Sequence, residues 1–355
     1  ALEGYKTLST HWHLAYTMQA MEHGVDWTPP FKPVLKAMGV DASVIMDFHG
    51  DGHPRDLTEL RLEELDAYFN ALRAQSDEDF LLIPAEEANV HFGGHWVLMF
   101  PKPVYWFMNR PPGGAFETTH PEYGQVYSTA DATELLELVR REGGFMYQTH
   151  PRTKGSTGYP DAIMQTDHFR DASYLGAGWK AMPSDMSSPR LGDRVFDLLD
   201  DLSNEGLRKK IMGEVDVFQF DDTHELYAHM NINYVRLDDL PSFDEWGEVL
   251  KPLASGDFFT TTGEVLLPGV DLSASTVDRI SARVSVQWTL PLRYAEIVWG
   301  EGGTTHREVI PLTKTREFDE ETFEWTVEAE GWSWARVAVW DVATNGAFTN
   351  PTWRD

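Results

Sequence analysis

Six apolar runs in the first 255 residues alternate with segments of helical periodicity, and this alternation narrows the available folds more than any other feature. The runs are rich in β-branched and aromatic residues and cover Tyr5–Thr10, Ser43–Phe48, Phe80–Pro84, Trp96–Phe100, Gly144–Thr149 and Val215–Phe220. Leu57–Ala74 and Thr133–Arg141 carry apolar residues at helical spacing, the second stopped by Gly143-Gly144. Arg190–Leu202 and Phe243–Leu253 complete the helical set. Strands that alternate with helices predict a parallel α/β sheet, open or closed into a barrel.

The composition changes sharply further along the chain. Every histidine except His306 precedes residue 230, whereas Trp288, Trp299, Trp325, Trp332, Trp334, Trp340 and Trp353 crowd the tail. We therefore expect two domains, 1–262 and 263–355, with the change falling where Ser255-Gly256 and Pro268-Gly269 punctuate the sequence. The tail runs Ile280–Trp288, Arg293–Trp299, Arg307–Leu312, Thr322–Glu328 and Trp332–Trp340 predict a small antiparallel β-sandwich. Its tryptophans suit core packing, and the alternative is a carbohydrate-binding platform.

Lys plus Arg number 29 against 57 Asp plus Glu, a formal charge of −28, which excludes a nucleic-acid polymer held through its phosphates. No apolar run approaches the roughly 20 residues that span a bilayer, so no membrane insertion is expected. With no cysteine, any metal must be held by His, Asp and Glu. The start at Ala1, without an initiator methionine, leans toward an exported, periplasmic protein, with the cytoplasm left open. Oligomeric state is open too.

Ligand-type side chains gather at the ends of the runs. Tyr5–Thr10 leads into His11 and His13, Ser43–Phe48 into His49, and Phe80–Pro84 into Glu86-Glu87. His95 directly precedes Trp96–Phe100, His150 follows Gly144–Thr149, and Asp222 and His224 follow Val215–Phe220. Parallel α/β proteins build their sites at the C-terminal ends of strands. Any one of these residues also fits an ordinary loop, but the joint pattern points to a metal cluster. Imidazoles mixed with carboxylates suit zinc, manganese or iron, and calcium would want an all-oxygen cage. More than four candidate ligands implies two or more divalent ions bridged by a carboxylate, which is hydrolytic chemistry.

This ordered series, His-x-His, His, Glu, His, His-Pro, Asp-x-His, resembles the PHP (polymerase and histidinol phosphatase) superfamily. Its context looks like the carbaryl-hydrolase, CehA/McbA-like branch. The carrying stretches are Leu8–His13, Ile45–His49, Leu82–Glu87, Gly94-His95, Thr149–Pro151, Asp222–His224, Leu253–Gly263 and Phe348–Pro351. The resemblance implies a distorted (β/α)7 TIM-like barrel with a di- or trinuclear centre. It implies as ligands His11, His13, His49, Glu87, His95, His150, Asp222 and His224, with Glu87 bridging and Glu86 the alternative. Asp47-Phe48-His49 stands where the family usually has Thr-Asp-His, and only His23 or Asp26 lies near the family's further early ligand.

The implied activity is metal-dependent hydrolysis by an activated water, on a small anionic phosphate ester first and a carbamate or carboxyl ester second. Arg152, Lys154 and Lys180 are placed to bind such a substrate, and His120 to serve as an acid. The amidohydrolase superfamily also opens with His-x-His, but its mid-chain bridging lysine and lone late Asp fit less well than the glutamate after the third run.

Overall fold

The structure, a computed structural model, describes residues 2–13, 22–24, 27–49, 60–151, 163–179, 193–218 and 231–354. The first strands are β1 (Tyr5–Trp12), β2 (Ala42–His49), β3 (Leu81–Glu87) and β4 (Trp96–Met99), followed by the short β5 (Tyr105–Phe107), β6 (Glu117–His120) and β7 (Gly124–Ser128). Next come β8 (Phe145–Gln148), β9 (Tyr174–Trp179), β10 (Lys210–Gly213), β11 (Ile232–Arg236) and β12 (Phe258–Thr261). The tail adds β13 (Val265–Asp271), β14 (Arg279–Trp288), β15 (Leu292–Glu301), β16 (Thr304–Pro311), β17 (Asp319–Glu328), β18 (Trp334–Asp341), β19 (Gly346–Thr349) and β20 (Thr352–Trp353). Helices cover Phe31–Ala37, Leu60–Gln75, Ala132–Glu142, Asp167–Arg170, Asp193–Asn204 and Gly247–Ser255.

The expected (β/α)7 barrel is not what these strands build. They form one mixed 14-stranded sheet in the order β10-β9-β8-β4-β3-β2-β1-β11-β12-β19-β18-β15-β16, with β20 on β18, and the described chain is mostly β. Parallel pairing holds for β1 with β2, β2 with β3, β8 with β9 and β9 with β10. It fails at β4, which lies antiparallel between β3 and β8. It fails again at β11, which takes the far edge of β1 antiparallel and leads the ladder into the tail strands. Hydropathy periodicity reports which face of a run is buried and says nothing about its direction, so both reversals escape a reading of the sequence. β5, β6 and β7 form a separate small sheet. No helix among the described residues is long and apolar enough to cross a membrane.

The tail places the three-stranded sheet β13-β14-β17 against the far end of the large sheet, and the two share one core. β14 turns Val284, Val286 and Trp288 inward, against Ile297, Trp299 and Val337 of the facing layer. That facing layer is the continuation of the site-bearing sheet, which is the second departure from the expected free-standing sandwich. Asn350, just past β19, ties back to β10 by accepting the Ile211 N–H at 2.8 Å.

The Leu60–Gln75 helix covers β2 and β3. It buries Leu65, Tyr68, Phe69 and Leu72 against Val44, Ile45, Leu82 and Ile83, at about 1.5–3 kcal/mol per large apolar side chain. The β2–β3 ladder slips in register between Ile45 and Phe48, which frees backbone groups inside the protein. The buried Tyr68 hydroxyl fills that gap by bonding the Ile45 carbonyl and accepting the Ala85 N–H at 3.1 Å. Tyr68→Phe removes one oxygen and strands both groups, so chemical denaturation should show a loss of about 1–3 kcal/mol.

Candidate metal centre

Four chain segments leave the large sheet at one end and bring their polar residues together. β1 carries His11 and leads directly into His13, and the left-handed backbone at His11 (φ 74°) breaks the strand's regular alternation, bringing the two imidazoles together. Trp12 between them points away, buried, with its indole N–H on Ser9 Oγ at 2.8 Å. β3 ends in Glu86-Glu87, and alternation sends the two carboxylates opposite ways. Glu86 accepts from Arg61 Nη2 at 2.5 Å and Trp106 Nε1 at 2.9 Å, whereas Glu87 faces the histidines. β4 runs antiparallel, so the residue preceding it, His95, reaches the same end as the residues that follow the parallel strands. Gly94 makes that approach possible: its backbone is left-handed, and a Cβ there would lie 2.9 Å from Gln148 Nε2. β8 is followed by His150, whose segment is tied to the His95 carbonyl through Thr149 N–H at 3.1 Å and Gln148 Nε2 at 2.7 Å.

The side chains converge closely. His11 Nε2 and His13 Nε2 are 3.0 Å apart. Glu87 Oε2 lies 2.9 Å from His13 Nε2 and 3.4 Å from His11 Nε2, and its Oε1 lies 2.8 Å from His95 Nδ1. His11, His13 and Glu87 thus form one possible metal-binding group, and Glu87, His95 and His150 form a second. Donors at 2.0–2.1 Å in a tetrahedron stand about 3.3 Å apart, so these separations fit a metal's edge lengths. All of these residues except His95 are buried, as a dry ligand set requires.

Two residues that the sequence reading passed over complete the cluster. Asp216 places Oδ1 3.5 Å from His11 Nε2 and Oδ2 3.4 Å from His150 Nε2. Glu214 holds the far side of His11, with Oε2 2.8 Å from Nδ1. The signal was present in Glu214-Val215-Asp216. The sequence reading takes Val215–Phe220 as strand and looks beyond it, whereas β10 stops at Gly213 and the exit from the sheet begins at Glu214. Val215 and Val217 N–H groups then bond the carbonyls of Thr10 and His11, which lays this exit alongside β1. Phe218, half exposed, stacks on His13 with ring centroids 4.5 Å apart and forms the outer wall.

Other expected residues lie elsewhere. His120 sits at the β6–β7 turn, accepting from the Glu122 and Tyr123 N–H groups and stacking on Tyr123. His23 is exposed and packs on Trp27. The His49 side chain, Asp26, Arg152, Lys154, Lys180, Asp222 and His224 fall outside the described residues.

Electrostatics distinguish the paired imidazoles. His13 Nδ1 donates to the Met46 carbonyl at 2.7 Å, which leaves Nε2 as an acceptor. Burial and the adjacent His11 hold its pKa below the ordinary histidine value, against the pull of Glu87. Burial opposes charge on His11 as well, but Asp216 and Glu214 outweigh it and push the pKa up to about 10. The metal-free protein therefore carries an imidazolium at His11 beside a neutral His13. Because the folded value exceeds the unfolded one, the stabilising effect of this charge is complete below about pH 6.5 and is lost as pH rises through about 10. Imidazole NMR of metal-free protein at pH 8 should show His11 doubly protonated and His13 neutral. The stability deficit of His11→Gln should shrink as pH climbs from 7 to 10.

No protein-family model matches this chain, and neither does any curated protein or solved structure.

Proposed function

We propose that this chain is a metal-dependent hydrolase with two or three divalent ions (zinc, manganese or iron), acting on small phosphate esters, as the PHP resemblance implies. The observation that carries this reading is the shared carboxylate: Glu87 turns one oxygen to His11 and His13 and the other toward His95. A bridging carboxylate between two histidine groups is how a protein holds two cations a few ångströms apart. Once bound, such ions supply Lewis acidity and bring a water's pKa toward neutrality.

The chain's own residues prepare that chemistry. His13 is fixed by the Met46 carbonyl so that Nε2 faces the cluster, and His11 gives up its proton as it becomes a ligand. Asp216 spans His11 and His150 and joins the two groups. Phe218, half exposed and stacked on His13, offers an apolar face against which the non-reacting part of a small substrate can rest. Core packing rather than a carbohydrate platform is favoured for Trp288, Trp299, Trp332, Trp334 and Trp340, which are buried, whereas Trp325 and Trp353 are partly exposed.

Chelator-treated protein reloaded with Mn, Zn or Fe should cleave p-nitrophenyl phosphomonoesters. Parallel assays on phosphodiester, carboxylate and carbamate esters identify the substrate class, and a preference for the last two would replace the phosphoesterase reading with the ester one. Glu87→Ala should lower turnover by about 100-fold or more. Less than one ion per chain, with no activity on any ester, would end the hydrolase reading. Calorimetry at pH 8 should also record a proton released on metal loading that is missing in His11→Gln.

A further inference from the structure

We propose that Glu214 is the positioning residue of this centre, a single buried carboxylate that fixes the ring of one ligand and the backbone of another. The inference rests on the metal-centre reading above. Glu214 is fully buried and belongs to neither ligand group, because its oxygens are engaged on the far side of the ligands. Oε2 takes His11 Nδ1 at 2.8 Å, and Oε1 accepts the His150 backbone N–H at 2.5 Å. Both partners are strained, with φ of 74° at His11 and 30° at His150, a region that non-glycine residues seldom occupy. A carboxylate on Nδ1 fixes the ring's orientation and tautomer and leaves the Nε2 lone pair directed at the cluster.

The surroundings are shaped to this carboxylate. A Cβ at Gly178 on β9 would stand 2.4 Å from Glu214 Cδ and 2.5 Å from each oxygen, so the missing side chain makes its room. The backbone of Glu214 is anchored as well. Its N–H bonds the Trp179 carbonyl at 3.0 Å, and the buried Asn231 amide donates to the Glu214 carbonyl at 2.9 Å and the Trp179 carbonyl at 3.1 Å.

Glu214→Gln keeps the shape but offers only one acceptor. If the amide oxygen serves His150 N–H, its NH2 faces His11 Nδ1 and drives the ring proton onto Nε2, the atom a metal needs. Gly178→Ala should produce the same defect from the opposite side by displacing the carboxylate.

The test uses the full chain, stripped of metal and titrated with Co2+, read by calorimetry and by the visible ligand-field spectrum. Both variants should bind Co2+ about 10–100-fold more weakly than wild type, with altered spectra, while near-UV circular dichroism shows a folded protein. Should Glu214→Gln fail to fold, Gly178→Ala decides. Wild-type binding with both folded variants within about twofold of it, and unchanged spectra, overturns the role of Glu214 alone. If wild type itself takes up no Co2+, the metal reading falls and this inference falls with it.

Discussion

Three buried carboxylates, each within 3.5 Å of the His11 ring nitrogens, set the terms for everything around them. Glu87, Glu214 and Asp216 are each at most 3% exposed, and a buried carboxylate costs several kcal/mol unless it is compensated. A fourth, Glu86, is neutralised by Arg61 on the opposite side of β3. The other three stand around His11, whose imidazolium in the metal-free protein is held by Asp216 and Glu214. On the proposed reading, divalent cations offset these carboxylates further. The overall charge of −28 is thus a poor guide to the site, whose buried carboxylates face histidines while the rest of the acidity is spread over the chain.

That burden is met with backbone as well as side chains. His11, His150 and Asp216 all have left-handed backbones, and each lies where a strand ends or slips in register. Regular strands would alternate their side chains in and out; the irregular ones turn consecutive exits toward a common point. Glycine is used sparingly in the same cause, at Gly94 to let His95 close on β8 and at Gly178 to make room for a carboxylate.

Much of this was legible in the residues. The ends of β1, β3 and β8 and the start of β4 fall beside His11, His13, Glu87, His150 and His95, because apolar runs mark strands and a polar residue just beyond a run has to leave the sheet. The mixed sheet that stands in place of the expected barrel was not legible, since its strand directions are not encoded in hydropathy. β4 reads like its neighbours yet runs against them, and β11 gave no signal strong enough to place an antiparallel strand beside β1. Asp216 was hidden because Val215 and Val217 resemble strand interior. They are held alongside β1 by a few hydrogen bonds just after the regular strand has ended, a tertiary effect with no local signature. Glu86 and Glu87 could be separated only by structure, since a shift of one residue in a strand exchanges its faces.

The unbroken ladder from the site-bearing strands into the tail has a kinetic consequence. β12 acquires its second neighbour only when β19 arrives about 90 residues later, and β10 waits still longer for Asn350. Pairings this distant in sequence must close large loops before they return any stabilisation, which slows folding and leaves an apolar strand edge open meanwhile. The half of the chain that carries the histidines is therefore completed last from the other half, and a nascent chain with every ligand already synthesised still lacks the strand that finishes the sheet holding them.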